Sequence, residues 1–278
     1  MEKPIIVAEL SINHLGMVNV AKKMIDSAVD CGANLIKLKC KNVNKYYKND
    51  GKKWRNFNFK EYRQSLELSK DDFSELAHYC NAKGVNWFCT VHDSEGLEFI
   101  REFQPPFYKV ASMDAGKSDF VNEVIQSCKL DNKPLIISLG GKDDKFTDKL
   151  VKNITDSGIR AFLLHTVSIY PTPAGKSNIN YVMKLIKKYS SENIKVGYSG
   201  HEVGFSASLM AAVYGAQMIE RHFSLSRDFR IHHIDAALIP SEFRQMTNMI
   251  DEIFLETTTS SESFNPEELK FLVDRVYT

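Results

Sequence analysis

The feature that most constrains this chain is a repeat. A short apolar run, a polar loop and an amphipathic stretch recur from one end to the other. Residues 5–10 are apolar and rich in β-branched side chains; the loop Ser-Ile-Asn-His-Leu-Gly follows, and apolar residues at helical spacing run from about 18 to 30 before Cys31-Gly32. The unit is strand, loop, helix. Further strands are predicted at 34–40, 86–90, 107–110, 134–138, 160–165, 194–198 and 217–221. The helices between and after them fall at 69–83, 94–103, 118–130, 142–157, 179–189, 204–215 and 241–257, the first opened by Ser69 as N-cap with acidic residues in its first turn. Eight such alternations with no all-polar linker predict an α/β chain folded as a (β/α)8 TIM barrel over residues 1–257. A doubly wound open sheet is the alternative, and it rarely needs eight regular units. Residues 258–278 read as a mobile connection, Thr-Thr-Ser-Ser-Glu-Ser, leading to a short amphipathic helix at 266–277 that is available to cover the barrel or a neighbouring subunit.

One unit is irregular. The stretch from 41 to about 68 is predicted as a long loop, yet it carries Tyr46, Tyr47, Trp54, Phe57, Phe59 and Tyr62. A loop of that length with apolar material to pack is usually a lid or part of a substrate pocket. The lysines of its first part, Lys41 to Lys53, are interleaved with Asn, Tyr and Asp and read as a solvated surface.

Composition excludes several classes. With 43% hydrophobic and 26% charged residues and a formal charge of +1, the 278-residue chain has the balance of a soluble globular protein; no basic arm calls for nucleic acid and no apolar run approaches the roughly 20 residues of a membrane span. Five cysteines without CxxC spacing indicate reduced thiols in a cytoplasmic protein, and Met-Glu-Lys-Pro enters the first strand without room for a signal peptide.

On a barrel, the carboxyl ends of the strands face one pocket, so the chemistry can be collected strand by strand. The last two predicted strands run straight into His201 and His222, where two neutral imidazoles can share one divalent ion. The other strand ends supply Glu9, Asn13 and His14; Lys37 and Lys39; Thr90 and His92; Lys109, Ser112 and Asp114; Ser138; His165, Ser168 and Tyr170; Ser199; and Glu220. Three lysines and several hydroxyls against few carboxylates suit a small anion bearing phosphate and carboxylate. Each residue also has a structural reading: Ser112, Ser138 and Ser199 as helix caps, Glu9 as a partner of Lys37, Glu220 as a carboxylate orienting a neighbouring lysine or histidine, His165 as a core residue.

The same residues carry a family likeness. Ala8-Glu-Leu-Ser-Ile-Asn-His, Leu35-Ile-Lys, Tyr108-Lys-Val-Ala-Ser, Tyr170-Pro-Thr-Pro, Gly197-Tyr-Ser-Gly-His and Ile219-Glu-Arg-His-Phe, in this order, resemble the sialic acid synthase (N-acetylneuraminate synthase) family. The resemblance implies a metal-assisted enzyme that condenses phosphoenolpyruvate with an aldose acceptor to give a nonulosonic acid and inorganic phosphate. It implies a divalent metal, Mn2+ or Mg2+, on His201 and His222. It places Lys37, Thr90, Lys109, Ser112, Ser138, Ser168, Tyr170 and Ser199 around phosphoenolpyruvate, with Glu9 and Glu220 close to the reacting carbons; Lys39, Asp114 and His233 complete the expected substrate-binding set. A homodimer is the family's default.

Three departures stand out. Lys39 replaces the family's usual glutamine, Gly200 its usual aspartate, and Arg230-Ile-His-His-Ile-Asp its Gly-Pro-Asp-His segment, so that His232, His233 and Asp235 either serve another acceptor or form a polar surface loop. The chain is also expected to lack the family's C-terminal antifreeze-like domain, and whether a separate polypeptide supplies it stays open. These departures point to an acceptor other than N-acetylmannosamine. Two alternatives stay open: a barrel lyase or aldolase acting on a 2-keto acid with Lys39 as Schiff-base nucleophile, and a non-catalytic binding protein derived from a synthase.

Overall fold

The computed structural model describes residues 2–48 and 51–258, together with residue 270. Eight parallel strands close into a barrel: β1 (Ile5–Glu9), β2 (Leu35–Cys40), β5 (Trp87–Val91), β6 (Tyr108–Val110), β7 (Leu135–Ser138), β8 (Ala161–Thr166), β9 (Ile194–Gly200) and β10 (Met218–His222), with β10 pairing back onto β1. The expected (β/α)8 barrel is therefore the observed one. Its helices are α1 (Val18–Asp30), α4 (Lys70–Ala82), α5 (Ser94–Arg101), α6 (Ser118–Asp131), α7 (Asp144–Ser157), α8 (Asn180–Tyr189), α9 (Ser206–Val213) and α10 (Pro240–Thr258). The helix expected at 266–277 and most of the preceding connection lie outside the described residues.

Alternation along the strands builds the interior. Side chains on a strand point to opposite faces in turn, so one set faces the helices and the other fills the barrel. Ile6, Ala8, Ile36 and Ile219 join the large core beneath the helices, to which α1 contributes Ala21, Met24, Ile25 and Ala28 at one helical face. The alternate residues Val7, Leu35, Phe88, Ile136, Leu164 and Met218 form a separate apolar cluster. Two residues further along the same strands stand Glu9, Lys37, Thr90, Ser138, Thr166 and Glu220. The barrel is thus apolar at its amino end and polar at its carboxyl end, the switch occurring within single strands.

The stretch from 41 to 68, expected as a loop, holds short regular pieces: α2 (Val43–Tyr46), a hairpin of β3 (Lys53–Trp54) and β4 (Phe57–Asn58), and α3 (Phe59–Gln64). Elements of two to six residues are too short to show a hydrophobic period, and side-chain caps hold them instead. The Asn42 carboxamide accepts from the Lys45 amide and that of Asn58 from Lys60 and Glu61. This insertion packs across the barrel mouth through Leu66 and Tyr62 against Ile231 and Ile234 of the segment after β10, and Trp54 stacks on Tyr62 at 4.4 Å between ring centroids. The expectation of a lid over the pocket matches its position. At its base, Ser69 and Asp72 form a reciprocal capping box that starts α4.

Candidate active site

A cavity of about 320 Å³ opens at the carboxyl end of the barrel. Its lining includes Glu9, Lys37, Lys39, Thr90, Lys109, Ser112, Ser138, Ser168, Tyr170, Ser199, His201, Glu220, His222 and His233. The register explains the convergence: Glu9 lies level with both Lys37 and His222, Thr90 with Lys39 and Lys109, and Ser199 with Glu220 and Thr166.

Four buried charges form the floor. Lys109 Nζ donates to both Glu220 oxygens at 2.7 and 2.6 Å, Lys37 Nζ to Glu220 Oε1 at 3.0 Å, and Ser199 Oγ to the same oxygen at 3.0 Å. Lys37 also makes a close ion pair with Glu9, whose Oε1 accepts from the Ser11 amide at 2.7 Å. Burial alone would raise the Glu220 carboxyl, but the charges of Lys109 and Lys37 outweigh it and hold the group well below the ordinary range. Glu220 therefore stands as an ionised clamp between two ammonium groups. Removing one member of such a buried set costs about 3–5 kcal/mol because the other is left uncompensated.

Hydroxyls line the wall above. None of the three serines caps a helix: α7 is capped by Asp143, α6 and α9 have no side-chain cap, Ser112 Oγ accepts from the Gly140 amide at 2.9 Å, and Ser199 donates to Glu220. A Cβ at position 140 would fall on the hydroxyls of Ser168 and Ser112, so glycine there lets the two approach each other. Thr90 Oγ1 is fully buried and has no hydrogen-bond partner among the described residues.

Asp114, expected to bind substrate, does not line the cavity. It stands behind His92, accepting from its Nδ1 at 2.6 Å, from Tyr46 Oη at 3.1 Å and from Lys117 Nζ at 2.7 Å. The reason is geometric: residue 114 lies in the turn that carries the chain from β6 away from the barrel axis, whereas residue 92 follows β5 directly. Burial would raise the Asp114 carboxyl, yet the bonds from His92 and Lys117 hold it below its usual value. Ionised Asp114 fixes Nδ1–H on His92 and turns Nε2, buried and without a partner among the described residues, toward the cavity.

His201 and His222 face each other with ring centroids 5.4 Å apart. His201 Nδ1 lies 2.8 Å from the Val167 carbonyl, which requires its proton and leaves Nε2 as a lone pair. Burial holds His201 down at about 3 and His222 well below its ordinary value, so both rings are neutral. Among the described residues no group of three His, Cys, Asp or Glu side chains is arranged to hold a metal. Two neutral imidazoles, one with its tautomer set from behind, are chemically suited to hold a divalent ion.

Behind this pair lies Arg221, fully buried, bonded through its guanidinium to Glu202 Oε1 (3.0 Å), the Glu202 carbonyl (2.8 Å), the Gly204 carbonyl (2.7 Å) and Ser208 Oγ (3.1 Å). A Cβ at Gly200 would meet Glu202, Tyr198 and Arg221, so this network accounts for glycine where the family resemblance leads one to expect aspartate. It anchors the loop that begins at His201.

Other cavity residues escaped the sequence reading. Ser11, Lys41, Arg63 and Thr166 also line the pocket, beside Tyr47 of the aromatic stretch expected there. Lys41, expected in a solvated surface, lies 3.9 Å over the Tyr46 ring, because the lid folds inward and brings its aromatics against the lysine stem. The run Lys41-Asn-Val-Asn-Lys-Tyr-Tyr-Lys carried no signal that separates the two outcomes. His232 and His233 both reach the rim, while His165 is buried with Nε2 2.8 Å from the Ser177 carbonyl.

A closed (β/α)8 barrel whose carboxyl-end pocket gathers buried lysines, hydroxyls and two neutral histidines has the layout of an enzyme barrel. The chain belongs to the NeuB family, whose model matches residues 24–262. It is 29% identical to the N-acetylneuraminate-9-phosphate synthase of Drosophila melanogaster, over 95% of this chain and 70% of that protein. It is 28% identical to a pseudaminic acid synthase of Campylobacter jejuni, over 90% of this chain and 73% of that protein. The crystal structure of the N-acetylneuraminic acid synthetase of Leptospira borgpetersenii in complex with citrate superposes with a TM-score of 0.82 at 24% identity, covering 99% of this chain and 92% of that one, which establishes the shared fold.

Proposed function

We propose that the chain is a phosphoenolpyruvate-dependent, metal-assisted transferase that joins phosphoenolpyruvate to an aldose acceptor other than N-acetylmannosamine. The products are a 2-keto-3-deoxy sugar acid and inorganic phosphate. The observation that carries the reading is the floor of the cavity: Lys37 and Lys109 held by Glu9 and Glu220 beneath a wall of hydroxyls. Membership of a family whose named members make sialic and pseudaminic acids supports it.

In this reaction the enol carbon of the donor attacks the aldehyde carbon, water adds to the cationic carbon left behind, and phosphate departs with cleavage of its carbon–oxygen bond. Lys37 and Lys109 seat the donor's anionic groups and stabilise charge on the departing phosphate. Thr90, Ser112 and Ser138 donate hydrogen bonds to its oxygens, Thr90 with a hydroxyl that has no other partner among the described residues. Glu220 holds both ammonium groups at fixed height, and Glu9 lies level with His222 beside the place where the carbons meet. His201 and His222 would hold Mn2+ or Mg2+, which when bound orients and polarises the aldehyde oxygen.

The test is release of inorganic phosphate from phosphoenolpyruvate with manganese across a panel of aldoses. Release that depends on one sugar class supports the condensation; silence with every sugar despite donor binding refutes it. A second reading has one observation in its favour: burial, with Arg63 nearby, holds the Lys39 ammonium down at about 8, toward the range of an amine nucleophile. Borohydride trapping of a 2-keto acid on Lys39 would support an aldolase; on the condensing reading no adduct forms.

A further inference from the structure

The steps above give no task to one buried titratable group that lines the cavity, His92. It follows β5 directly, on the same strand face as Thr90 and on the order of 7 Å above it. The residue is 2% exposed and is held from behind. One Asp114 oxygen takes His92 Nδ1 at 2.6 Å; the other takes Tyr46 Oη of the lid at 3.1 Å and Lys117 Nζ at 2.7 Å. The Tyr46 ring also packs edge-on against the imidazole, with centroids 5.3 Å apart. What remains is Nε2, buried, facing the cavity and without a hydrogen-bond partner among the described residues. Thr90 Oγ1 is in the same state, so the inner face of β5 presents a donor low and an acceptor high that a bound molecule would satisfy. An unmade buried hydrogen bond costs about 1–3 kcal/mol, which a purely structural histidine would avoid.

The condensation has to move protons, and the other groups of the cavity are engaged. Glu9 and Glu220 are bonded to the lysines of the floor. His201 and His222 are suited to the ion, and His232 and His233 lie on the segment after β10, His232 against Tyr62 of the lid. Position separates His92 from all four. Strand order places β5 three strands from β10 and four from β9 around the barrel. A donor seated on Lys37 and Lys109 between them turns one flank to the imidazole pair, where the aldehyde is held, and the other to His92. The surroundings keep His92 a base: burial first, with Lys41 and Lys39, holds it down at about 3 against the pull of Asp114, so the ring is neutral with its lone pair at Nε2. A phosphate dianion on the floor opposes those lysines and lets the ring take up a proton, while Asp114 stabilises the imidazolium.

Building on the condensation proposed above, we propose that His92 carries the proton of the attacking water, with Asp114 as its positioning residue. The water oxygen bonds to the cationic carbon from the β5 side as one O–H bond breaks, and that proton passes to Nε2. When the carbon–oxygen bond to phosphate breaks, the imidazolium returns this proton to the departing phosphate oxygen. The new hydroxyl becomes the keto group, and its proton neutralises the alkoxide formed from the aldehyde oxygen. Both protons of the water are thereby placed, and His92 ends neutral. Tyr46 ties the relay to the lid, because Asp114 keeps all its donors only while α2 is in place.

The experiment uses the full chain with phosphoenolpyruvate, manganese and the sugar that gives most phosphate release. His92→Gln keeps a hydrogen-bonding side chain that cannot carry a proton, and kcat should fall about 100- to 1000-fold with KM for both substrates nearly unchanged. His92→Gly removes the ring. Added imidazole should restore its turnover in proportion to concentration, whereas pyrazole, of like size and far weaker basicity, should not. Circular dichroism checks folding, and if His92→Gly does not fold, His92→Gln decides. Near-normal kcat in His92→Gln, a loss carried by KM alone, or equal rescue by pyrazole overturns the proposal while the condensation stands. If no sugar supports turnover, the condensation fails and the histidine is judged with phosphoenolpyruvate alone. Nitrogen NMR of the histidine-labelled chain, with the His92 signals assigned by their absence from His92→Gln, should then show Nε2 moving toward the protonated position as the donor binds. Such a shift upholds His92 as a base facing the donor; an unmoved Nε2 overturns that role as well.

Discussion

The floor of the cavity and its mouth are built on opposite terms. On the floor, every charged group comes from a barrel strand, is buried, and is matched: two lysines, two glutamates, each bonded to the other set. At the mouth, Arg63 and Tyr47 come from the lid and His232 and His233 from the segment after β10, and cations outnumber carboxylates. A charge that must be buried permanently has to be neutralised by the fold itself, whereas a charge at an opening can await a ligand. On the proposed function, the strands set the part of the site that seats the donor, and the insertions set which acceptor is admitted.

The largest effect expected from breaking this contrast is on the floor. Lys109→Ala removes the main partner of Glu220 and should lower phosphate release about 100- to 1000-fold, as loss of a preorganised donor at a developing anion does. Far-ultraviolet circular dichroism should show the fold retained, and full activity would sink the assignment of the floor to the donor. Next in size is Arg221→Leu, which strands Glu202 in the interior and should cost about 3–5 kcal/mol in urea unfolding. A loss below about 1 kcal/mol would mean that the loop carrying His201 does not depend on that network.

The mouth should respond more gently. Burial first, then neighbouring cations, hold Lys41 at about 7 (Lys39 and Arg63, with Glu67 and Asp114 opposing) and Lys39 at about 8 (Arg63 and Lys109, with Glu220 and Glu67 opposing). Below these values both are protonated and attract an anion; as pH rises through 7 to 8 the charge is lost. KM for an anionic acceptor should therefore climb several-fold between pH 6.5 and 9, while KM for a neutral one stays flat; parallel profiles would remove the lysines from acceptor recognition. Similar in size is the effect of Asp114→Asn, which weakens the hold on His92 from behind. About a 10-fold loss in kcat/KM is expected, the low end for a residue acting through its neighbour, and no change would leave His92 without a part in the site.

Legibility in the sequence follows the same division. The eight alternations predicted the barrel, and Val7-x-Glu9, Leu35-x-Lys37 and Met218-x-Glu220-x-His222 placed polar side chains at the strand ends, because a strand's period of two leaves no freedom once one face is apolar. Asp114 was misplaced because a residue three or four beyond a strand no longer obeys that period. Arg63 and Lys41 carried no local mark at all; they enter the cavity because Leu66 and Tyr62 of the lid find Ile231 and Ile234 more than 150 residues away in sequence.

By itself, then, the chain's pattern determined the (β/α)8 barrel, the end at which the site lies, and the strand-borne lysines, glutamates and histidines. Tertiary structure alone decided the rest. It made Glu220 the clamp of two lysines rather than a free acid, set Asp114 behind His92, excluded the serines as caps, and brought the lid's cations over the mouth. The physical reason is range: alternation and helical spacing act over a few residues, whereas charge pairing and lid docking depend on groups that only barrel closure brings within a few ångströms.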